Sequence, residues 1–447
     1  MTRYTILIAA VAALGGLLFG FDTAVIAGTL SPLKDYFDLG DAAIGLLVAA
    51  ASIGCIPGAF FAGRFADHFG RKKMMIATAL LFVIAALGSG IAGSFVQLVI
   101  YRFIGGIAIG MASTLAPIYI SEIAPAGFRG RLGMLQQLAI VVGILIAFIS
   151  NYFIANAGFS FLTNNNHWRY MLAAAVIPSL LFLLLLLLIP ESPRWLVLKD
   201  RLAPARRIFG RIYSAREADS ELEVVQADLK RDTRKIRFVE IFSSRYKKIV
   251  LIGIVFASIA QLTGINIVFY YAPLIFEKTH VGGSVLFQTV LTGVVNLVFT
   301  LVAFAMIDRI GRKKLLLAGS AVMGLCMLFI GYLFLTDRLD NYFVLISIFV
   351  YIAAFACTWG AVLWVYVAEI FPNKIRGHAT SFAIFGNWIM NTLVSFTFPV
   401  LLSGLGAATT FFIYGIINLG MILFVRRYIF ETKEVPLEKV EQLYSAE

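Results

Sequence analysis

One carboxylate lies inside a long apolar segment near the start of the chain. Asp22 is the single charged residue between positions 5 and 29, a stretch long enough to cross a bilayer, which takes about 20 residues. A charge in the middle of a membrane helix costs about 2.5–3.5 kcal/mol, so such residues commonly face a cavity or partner and mark an ion or substrate path. The sequence therefore indicates a functional carboxylate, with a purely structural ion pair as the alternative.

Arg102 is the candidate partner of Asp22. It lies in another apolar segment, and both residues are about 10 Å inside the same end of their segments at ~1.5 Å per residue. A nearby Arg favours the ionised carboxylate. Withdrawal of Arg102 would therefore let Asp22 bind a proton, and its return would release that proton. A permanent salt bridge between two helices is the alternative that the sequence leaves open.

Neutral polar residues form a second group within the apolar segments. They are amides, which donate and accept hydrogen bonds and so match hydroxyl groups. The candidate amides are Gln137, Gln261, Asn266, Asn296 and Asn387. The accompanying aromatic residues are Phe19, Trp364 and Trp388. A single amide often only joins membrane helices, at about 0.6 kcal/mol each. Together, amides and aromatic rings predict a cavity for a neutral polyol.

Membrane helices are the elements that must position these residues. The 447-residue chain is 60% hydrophobic and 14% charged, unlike a soluble globular domain. A β-barrel would instead show alternating segments of about ten residues. We predict an all-α membrane protein with twelve transmembrane helices. The predicted spans are residues 5–29, 42–62, 74–94, 96–120, 132–156, 170–189, 248–276, 284–307, 314–335, 341–368, 376–402 and 406–425.

The chain contains an internal repeat. The loop from Asp67 to Lys72 returns from Asp308 to Lys313, and the loop from Glu122 to Gly130 returns from Glu369 to Gly377. This pattern predicts two six-helix halves that alternate access around a site between them. The predicted divisions are residues 1–189 for the N-terminal half, 190–247 for an intracellular helical linker, 248–429 for the C-terminal half and 430–447 for a cytoplasmic tail.

The repeated loops combine acids and arginines at the same spacing in each half. Exposed ion pairs contribute only about 0–1 kcal/mol each, so a network of them suits a reversible latch between conformations. The predicted members of this ion-pair network are Asp67, Arg71, Glu122, Arg129, Asp308, Arg312, Glu369 and Arg376.

The net charge of +12 follows from topology rather than from a nucleic-acid partner. Clusters of Lys and Arg occupy the loops on the side of Arg3, whereas the opposite loops hold few. The positive-inside rule then places both termini in the cytoplasm. The three cysteines lie in apolar segments and the four histidines are scattered, so we expect no disulfide framework, metal site or cofactor. No nucleophile and base converge, so an enzyme is not expected.

These residues resemble the sugar porter branch of the major facilitator superfamily over essentially the whole chain. The motifs that carry the resemblance are Gly63 to Asp67 with Gly70 to Lys72, Tyr101 to Gly106, Pro190 to Arg194, Gly264 to Asn266 with Tyr270 and Tyr271, and Glu431 to Lys433. Asp22 is similar to the acid of bacterial proton-coupled pentose and hexose symporters. In facilitative glucose carriers of the family, the matching position is typically Asn.

The resemblance implies a role for each candidate. Asp22 would be the proton-coupling carboxylate, modulated by Arg102, and the amides, the two tryptophans and nearby Phe19 would form the sugar site. Tyr270 and Tyr271 would belong to an outer gate, and the repeated acids and arginines to an inner ion-pair network. The sequence departs from the family pattern at Ala260, Ile144, Ala361 and Phe430.

The function implied is a proton-coupled symporter of a pentose or hexose that works by alternating access. We expect it in the lipid bilayer of the bacterial inner membrane, functional as a monomer. Two alternatives remain at this stage. A facilitative uniporter would need Asp22 only as a structural residue, and a transporter-like sugar sensor is disfavoured by the short tail.

Overall fold

The structure is a computed structural model that describes residues 2–125, 128–157, 166–213, 215–231, 243, 246–279, 283–339, 342–372 and 375–433. Its description omits the side chains of residues 129–131, 215–216, 228–231, 308, 368 and 376–377. Within this part of the chain the secondary structure is helical, without strands. The helices are Arg3–Val25, the short 3-10 helix Ile26–Thr29, Leu30–Phe37, Asp41–Phe69, Arg71–Ile91, Phe95–Ile123, Arg129–Asn156, His167–Ala173, Val176–Leu188, Pro193–Leu198, Leu202–Ile212, Ala215–Arg231, Lys247–Leu262, Ile265–Phe276, Val285–Ile310, Arg312–Leu335, Phe343–Cys357, Trp359–Ile370, Arg376–Gly404 and Gly406–Tyr428.

Twelve membrane spans are confirmed in the described part of the chain. In order, they are Arg3–Phe37, Asp41–Phe69, Arg71–Ile91, Phe95–Ile123, Leu132–Asn156, His167–Leu188, Lys247–Phe276, Val285–Ile307, Arg312–Leu335, Phe343–Val367, His378–Gly404 and Gly406–Tyr428. We call the side of the chain termini the inner side, following the predicted orientation, and the opposite side the outer side. The second and fourth spans extend further at their inner ends than the apolar runs predicted. Their extra turns carry the charged residues of the repeated loops.

The seventh span is broken at its middle, where the sequence places Gly264. One helix ends at Leu262, the next begins at Ile265, and Gly264 between them has a φ of 91°, a left-handed conformation that favours glycine. The break frees the carbonyl oxygen of Thr263, which accepts hydrogen bonds from Tyr351 Oη at 2.7 Å and Asn418 Nδ2 at 3.0 Å. Buried side chains thus satisfy the freed backbone group, as a break at membrane depth requires.

The tenth span is also broken, at Thr358. One helix ends at Cys357 and the next begins at Trp359, while the Thr358 hydroxyl donates to the Ala354 carbonyl at 2.6 Å. This break lies three residues before Ala361, where the family pattern frequently has Pro. The span therefore bends without that Pro, because the threonine backbone leaves the helical conformation earlier in the chain.

The second and eleventh spans form one seam between the two halves, and the fifth and eighth spans form another. At the outer end of the seam between the second and eleventh spans, a Cβ added to Gly45 would lie 2.4 Å from the Phe396 carbonyl oxygen, so the two helix backbones are in direct contact. Deeper along the same seam, Ser52 Oγ donates a 2.6 Å hydrogen bond to Asn391 Oδ1. These contacts close the outer side between the halves.

The described helices of the linker pack against the inner end of the N-terminal half. A small apolar cluster that includes Trp195, Leu196 and Phe209 holds its helices together. Trp195 Nε1 donates to the Asp67 carbonyl at 3.1 Å, and the Arg211 guanidinium lies 5.7 Å from the centre of the Tyr4 ring. These contacts tie the linker to the inner ends of the first and second spans.

Candidate functional site

The structure brings Asp22 and Arg102 together, from the first and fourth spans. Arg102 Nη1 lies 3.0 Å from Asp22 Oδ2 and also donates to the Asp22 carbonyl oxygen at 3.0 Å. The residues are only 7% and 2% exposed. A buried charge that loses its partner is strongly destabilised, typically by about 3–5 kcal/mol. Any movement that separates this pair must therefore provide Asp22 with a proton or with water.

A cavity between the two halves collects every predicted sugar-site residue. Its lining includes Phe19, Gln137, Gln261, Asn266, Asn296, Trp364, Asn387 and Trp388, together with Tyr270. Thr23 also lines it, directly after Asp22 in the first span. The first span therefore presents one face to the cavity while Asp22 contacts the fourth span. One continuous helix, Arg3–Val25, connects the ion pair with the cavity.

The amides of the C-terminal half form one hydrogen-bonded cluster at this cavity. Gln261 Nε2 donates to Asn387 Oδ1 at 2.8 Å, and Gln261 Oε1 accepts from Asn266 Nδ2 at 2.5 Å. Gln261 Oε1 also accepts from Asn391 Nδ2 at 3.3 Å. Amides held in this way present their remaining donors and acceptors in fixed directions, as recognition of several hydroxyl groups requires.

An aromatic pair forms another part of the lining. The ring centres of Phe19 and Trp388 are 5.6 Å apart, and the two residues come from opposite halves. Trp388 is buried, and its indole Nε1 has no hydrogen-bond partner among the described residues. Buried polar groups are normally hydrogen-bonded, so a free donor at a cavity wall suits a polar ligand.

Sequence reasoning missed Asn391, which lines the cavity and joins the amide cluster. The signal was available in the spacing. Asn391 follows Asn387 by four residues on the eleventh span, and residues four apart lie on the same helix face. The cavity also includes Thr300, whose single hydroxyl gave no comparable pattern.

The two predicted gate tyrosines occupy different environments. Tyr270 lines the cavity, whereas Tyr271 does not. Tyr271 Oη donates to the Ser395 carbonyl at 2.8 Å, and its ring packs 5.1 Å from that of Phe398. Tyr271 therefore fastens the outer part of the seventh span to the eleventh, which leaves Tyr270 as the tyrosine that contacts the cavity.

The inner network of the N-terminal half centres on Arg71. Its guanidinium lies 2.9 Å from both Asp67 and Glu122, while Glu191 accepts hydrogen bonds from the backbone nitrogens of Arg71 and Lys72 at 2.9 and 3.0 Å. Sequence reasoning did not place Glu191 in the network. The Glu191 carboxylate lies at the N-terminus of the helix Arg71–Ile91, where it accepts hydrogen bonds from backbone N–H groups that have no partner within the helix.

The C-terminal half repeats this arrangement. Arg312 pairs with Glu369 at 2.9 Å, and Glu431 accepts from the backbone nitrogens of Arg312 and Lys313 at 2.9 and 3.1 Å. In both halves these pairs brace their own half in this conformation. Arg129, Asp308 and Arg376 are also predicted members of the network, but their side chains are not among those that the structure describes.

Glu277 follows the seventh span at the outer side, next to the N-terminal half. Partial burial raises the pKa of its carboxyl group above the usual 4.5, and Asp35 raises it further, whereas a hydrogen bond with Ser31 and the charge of Lys34 oppose the rise. We expect these neighbours to move away when the outer side opens, so that the pKa of Glu277 returns towards its usual value. The closed state therefore binds the proton more tightly.

We expect outer closure to depend on pH through Glu277. Protonated Glu277 should favour the closed state most strongly below pH 4.5, and this contribution should be lost as the pH rises through the raised pKa. The measurement is the distance between spin labels on Gly40→Cys and Gly404→Cys, in a background without the native cysteines. Both glycines lie at outer ends of the seam and have no neighbour within 4 Å of an added Cβ. Glu277→Gln should flatten the dependence, and an unchanged profile would contradict the assignment.

The twelve-span fold, a buried ion pair in one half and an amide-lined cavity between the halves define a membrane transporter of the major facilitator class. A family model described as "Sugar (and other) transporter" matches residues 8–444. The chain belongs to this sugar transporter family.

Known relatives match the chain over nearly its whole length. It is 38% identical to the D-xylose-proton symporter of Escherichia coli (strain K12), with 100% of this chain and 97% of the relative covered. It is 37% identical to the arabinose-proton symporter of Bacillus subtilis (strain 168), with 99% and 95% covered. The structure is similar to the partially occluded inward open conformation of the xylose transporter XylE from E. coli, with a TM-score of 0.87, 36% identity, and 97% of this chain and 100% of that chain covered. That likeness agrees with the closed outer side.

Proposed function

We propose that this protein is a proton-coupled monosaccharide symporter that carries a pentose or hexose by alternating access. The observation that supports this most strongly is the connection, through the first span, between a buried Asp22–Arg102 pair and a cavity lined by amides and tryptophans. The names of the similar symporters point to the same coupling of sugar and proton.

Sugar would bind between the halves at the amide cluster. Gln261, Asn266 and Asn387 would exchange hydrogen bonds with hydroxyl groups, and Trp388 would offer its free indole N–H. The aromatic faces would pack on the C–H face of the ring. A neutral ligand fits this lining because the described residues of the cavity carry no formal charge.

Proton coupling would use the two bonds that Arg102 makes to Asp22. The guanidinium donates to the carboxylate and to the backbone carbonyl of the same residue. If Asp22 takes up a proton, Arg102 loses the carboxylate as a counter-charge but keeps the carbonyl oxygen as an acceptor. Protonation thus weakens the link between the first and fourth spans, while Arg102 Nη1 keeps a hydrogen-bond acceptor in the Asp22 backbone carbonyl.

The remaining assignments complete the proposal. Tyr270 and Tyr271 would belong to the outer gate, and the Arg71 and Arg312 networks would brace the inner ends of the halves. Residues 1–189 and 248–429 would move as the two halves, joined by the linker 190–247, with the tail 430–447. Both termini would lie in the cytoplasm of a bacterium, and the protein would work in its inner membrane as a monomer.

Uptake into proteoliposomes tests this function. Radiolabelled xylose, arabinose, glucose and galactose would be supplied with and without an inward proton gradient, with protein-free vesicles as the control. We expect at least one sugar to accumulate above equilibrium and a protonophore to abolish that accumulation. Equilibration that ignores the gradient would instead identify a uniporter, and absence of uptake of every sugar would contradict the proposal.

A further inference from the structure

A head-to-tail chain of hydrogen bonds leads from the cavity amides to the opposite half. Ser52 Oγ donates to Asn391 Oδ1 at 2.6 Å, Asn391 Nδ2 donates to Gln261 Oε1 at 3.3 Å, and Gln261 Nε2 donates to Asn387 Oδ1 at 2.8 Å. Asn391 and Gln261 each accept on one side and donate on the other, and Asn387 is the last acceptor. Hydrogen bonds arranged in this way polarise and strengthen one another, so a change in one bond alters the strength of the others.

We infer that Asn391 is a positioning residue that couples occupancy of the cavity to closure of the outer side through Ser52. The inference rests on the proposed function, because it takes Gln261 and Asn387 as residues that face sugar. It identifies the Ser52–Asn391 hydrogen bond as the contact through which the sugar site affects the movement of the halves.

The position of the Ser52–Asn391 bond makes it sensitive to that movement. Ser52 belongs to the second span and Asn391 to the eleventh, the two helices of the seam that also meet at Gly45 and Phe396. Rocking of one half against the other would move these two helices apart, beginning at their outer ends. A side-chain hydrogen bond is lost once the heavy atoms are more than about 3.5 Å apart, so a small opening breaks this contact.

Burial gives the bond its energetic effect. Ser52 and Asn391 are each 3% exposed, so in the closed state they are shielded from water. Only an interaction that differs between two states can shift their populations. The Ser52–Asn391 bond meets this condition, since it exists when the helices of the seam touch and is absent when they part.

The cavity end of the chain is where a ligand would act. Gln261 Oε1 accepts from both Asn391 and Asn266, and the Tyr270 hydroxyl also interacts with the Asn391 side chain. A sugar hydroxyl bound to Gln261 fixes the orientation of its amide. That orientation then holds Asn391 with its carbonyl oxygen towards Ser52, which favours the closed outer side.

Ser52→Ala tests the inference, with Ser395→Ala as the matched control. Ser395 Oγ donates to the same Asn391 Oδ1, at 3.3 Å, but from four residues further along the same helix, so its bond does not depend on the position of the halves. The readout is the distance distribution between spin labels at Gly40→Cys and Gly404→Cys in the full-length protein reconstituted in nanodiscs. Each variant would be measured without sugar and with the monosaccharide that the wild type accumulates.

Ser52→Ala should lower the ratio of closed to open outer states roughly fivefold, the effect of one buried hydrogen bond. It should also reduce the sugar-induced shift, while Ser395→Ala behaves as the wild type. Equal ratios and equal sugar shifts in Ser52→Ala, Ser395→Ala and the wild type would overturn the inference. If the wild type neither binds nor carries any monosaccharide, the proposed function fails instead, and the sugar-free ratios still test the Ser52–Asn391 contact.

Discussion

An Asp22→Asn variant is expected to exchange sugar across the membrane but to lose uphill accumulation. The substitution removes the titratable group and keeps an oxygen that Arg102 can contact, as well as the carbonyl bond at 3.0 Å. One proton moving through 100 mV supplies about 2.3 kcal/mol. That energy corresponds to roughly fortyfold accumulation, since 1.4 kcal/mol is tenfold. In the variant the accumulation ratio should fall to about one, whereas counterflow exchange of labelled sugar in proteoliposomes should persist.

Asp38→Asn provides the control for that substitution. Asp38 is an exposed acid on the outer side with a φ of 52°, and Asn adopts this left-handed conformation readily. The control should accumulate sugar as the wild type does. Two outcomes would contradict the role of Asp22: accumulation retained in Asp22→Asn, or loss of exchange as well in a variant that is folded normally. The second outcome would make Asp22 and Arg102 a structural pair.

A Gly45→Trp variant is expected to bind sugar from the outer side but not to carry it across. A Cβ at this position would lie 2.4 Å from the Phe396 carbonyl oxygen, closer than real Cβ contacts come, so the outer ends of the seam could not meet. Overpacking typically costs about 1–3 kcal/mol, and we expect the upper end of this range here because the neighbour is backbone, which cannot rotate away as a flexible side chain can. The closed outer state should therefore become rarer by about a hundredfold. Uptake would measure the loss, and isothermal titration would measure the binding that remains.

Gly40→Trp is the matched control for the bulky side chain. Gly40 lies just before the same span, and nothing is within 4 Å of a Cβ added there. This variant should transport sugar at the wild-type rate. Normal uptake by Gly45→Trp would show that the outer ends separate by another movement. Loss of binding in a folded Gly45→Trp protein would show that sugar binds only when the outer side is closed.

The sequence determined the spans, because membrane helices are set by local hydrophobicity and length. A run of about 20 apolar residues must form a helix to satisfy its backbone in lipid, whatever surrounds it. The division into two halves could also be predicted from the sequence, because each half contains its own copy of the charged loops. Depth alone also matched Asp22 with Arg102, because residue position along a straight helix fixes height in the bilayer.

Other features required the tertiary structure. Which face each helix turns to its neighbours is decided by packing between segments far apart in sequence. The Ser52–Asn391 contact joins residues that are 339 positions apart, and Glu191 reaches Arg71 over 120. The break at Thr358 likewise carries no Pro or Gly signal of its own.

The sequence by itself thus determined the membrane architecture, its symmetry and the chemical types of the site residues. The tertiary structure decided which of these residues share a cavity, how the amides are linked, and which helices meet at the outer side. The physical reason is that insertion into lipid depends on each segment separately. Close contact between helices depends on side chains and backbones from both partners at once.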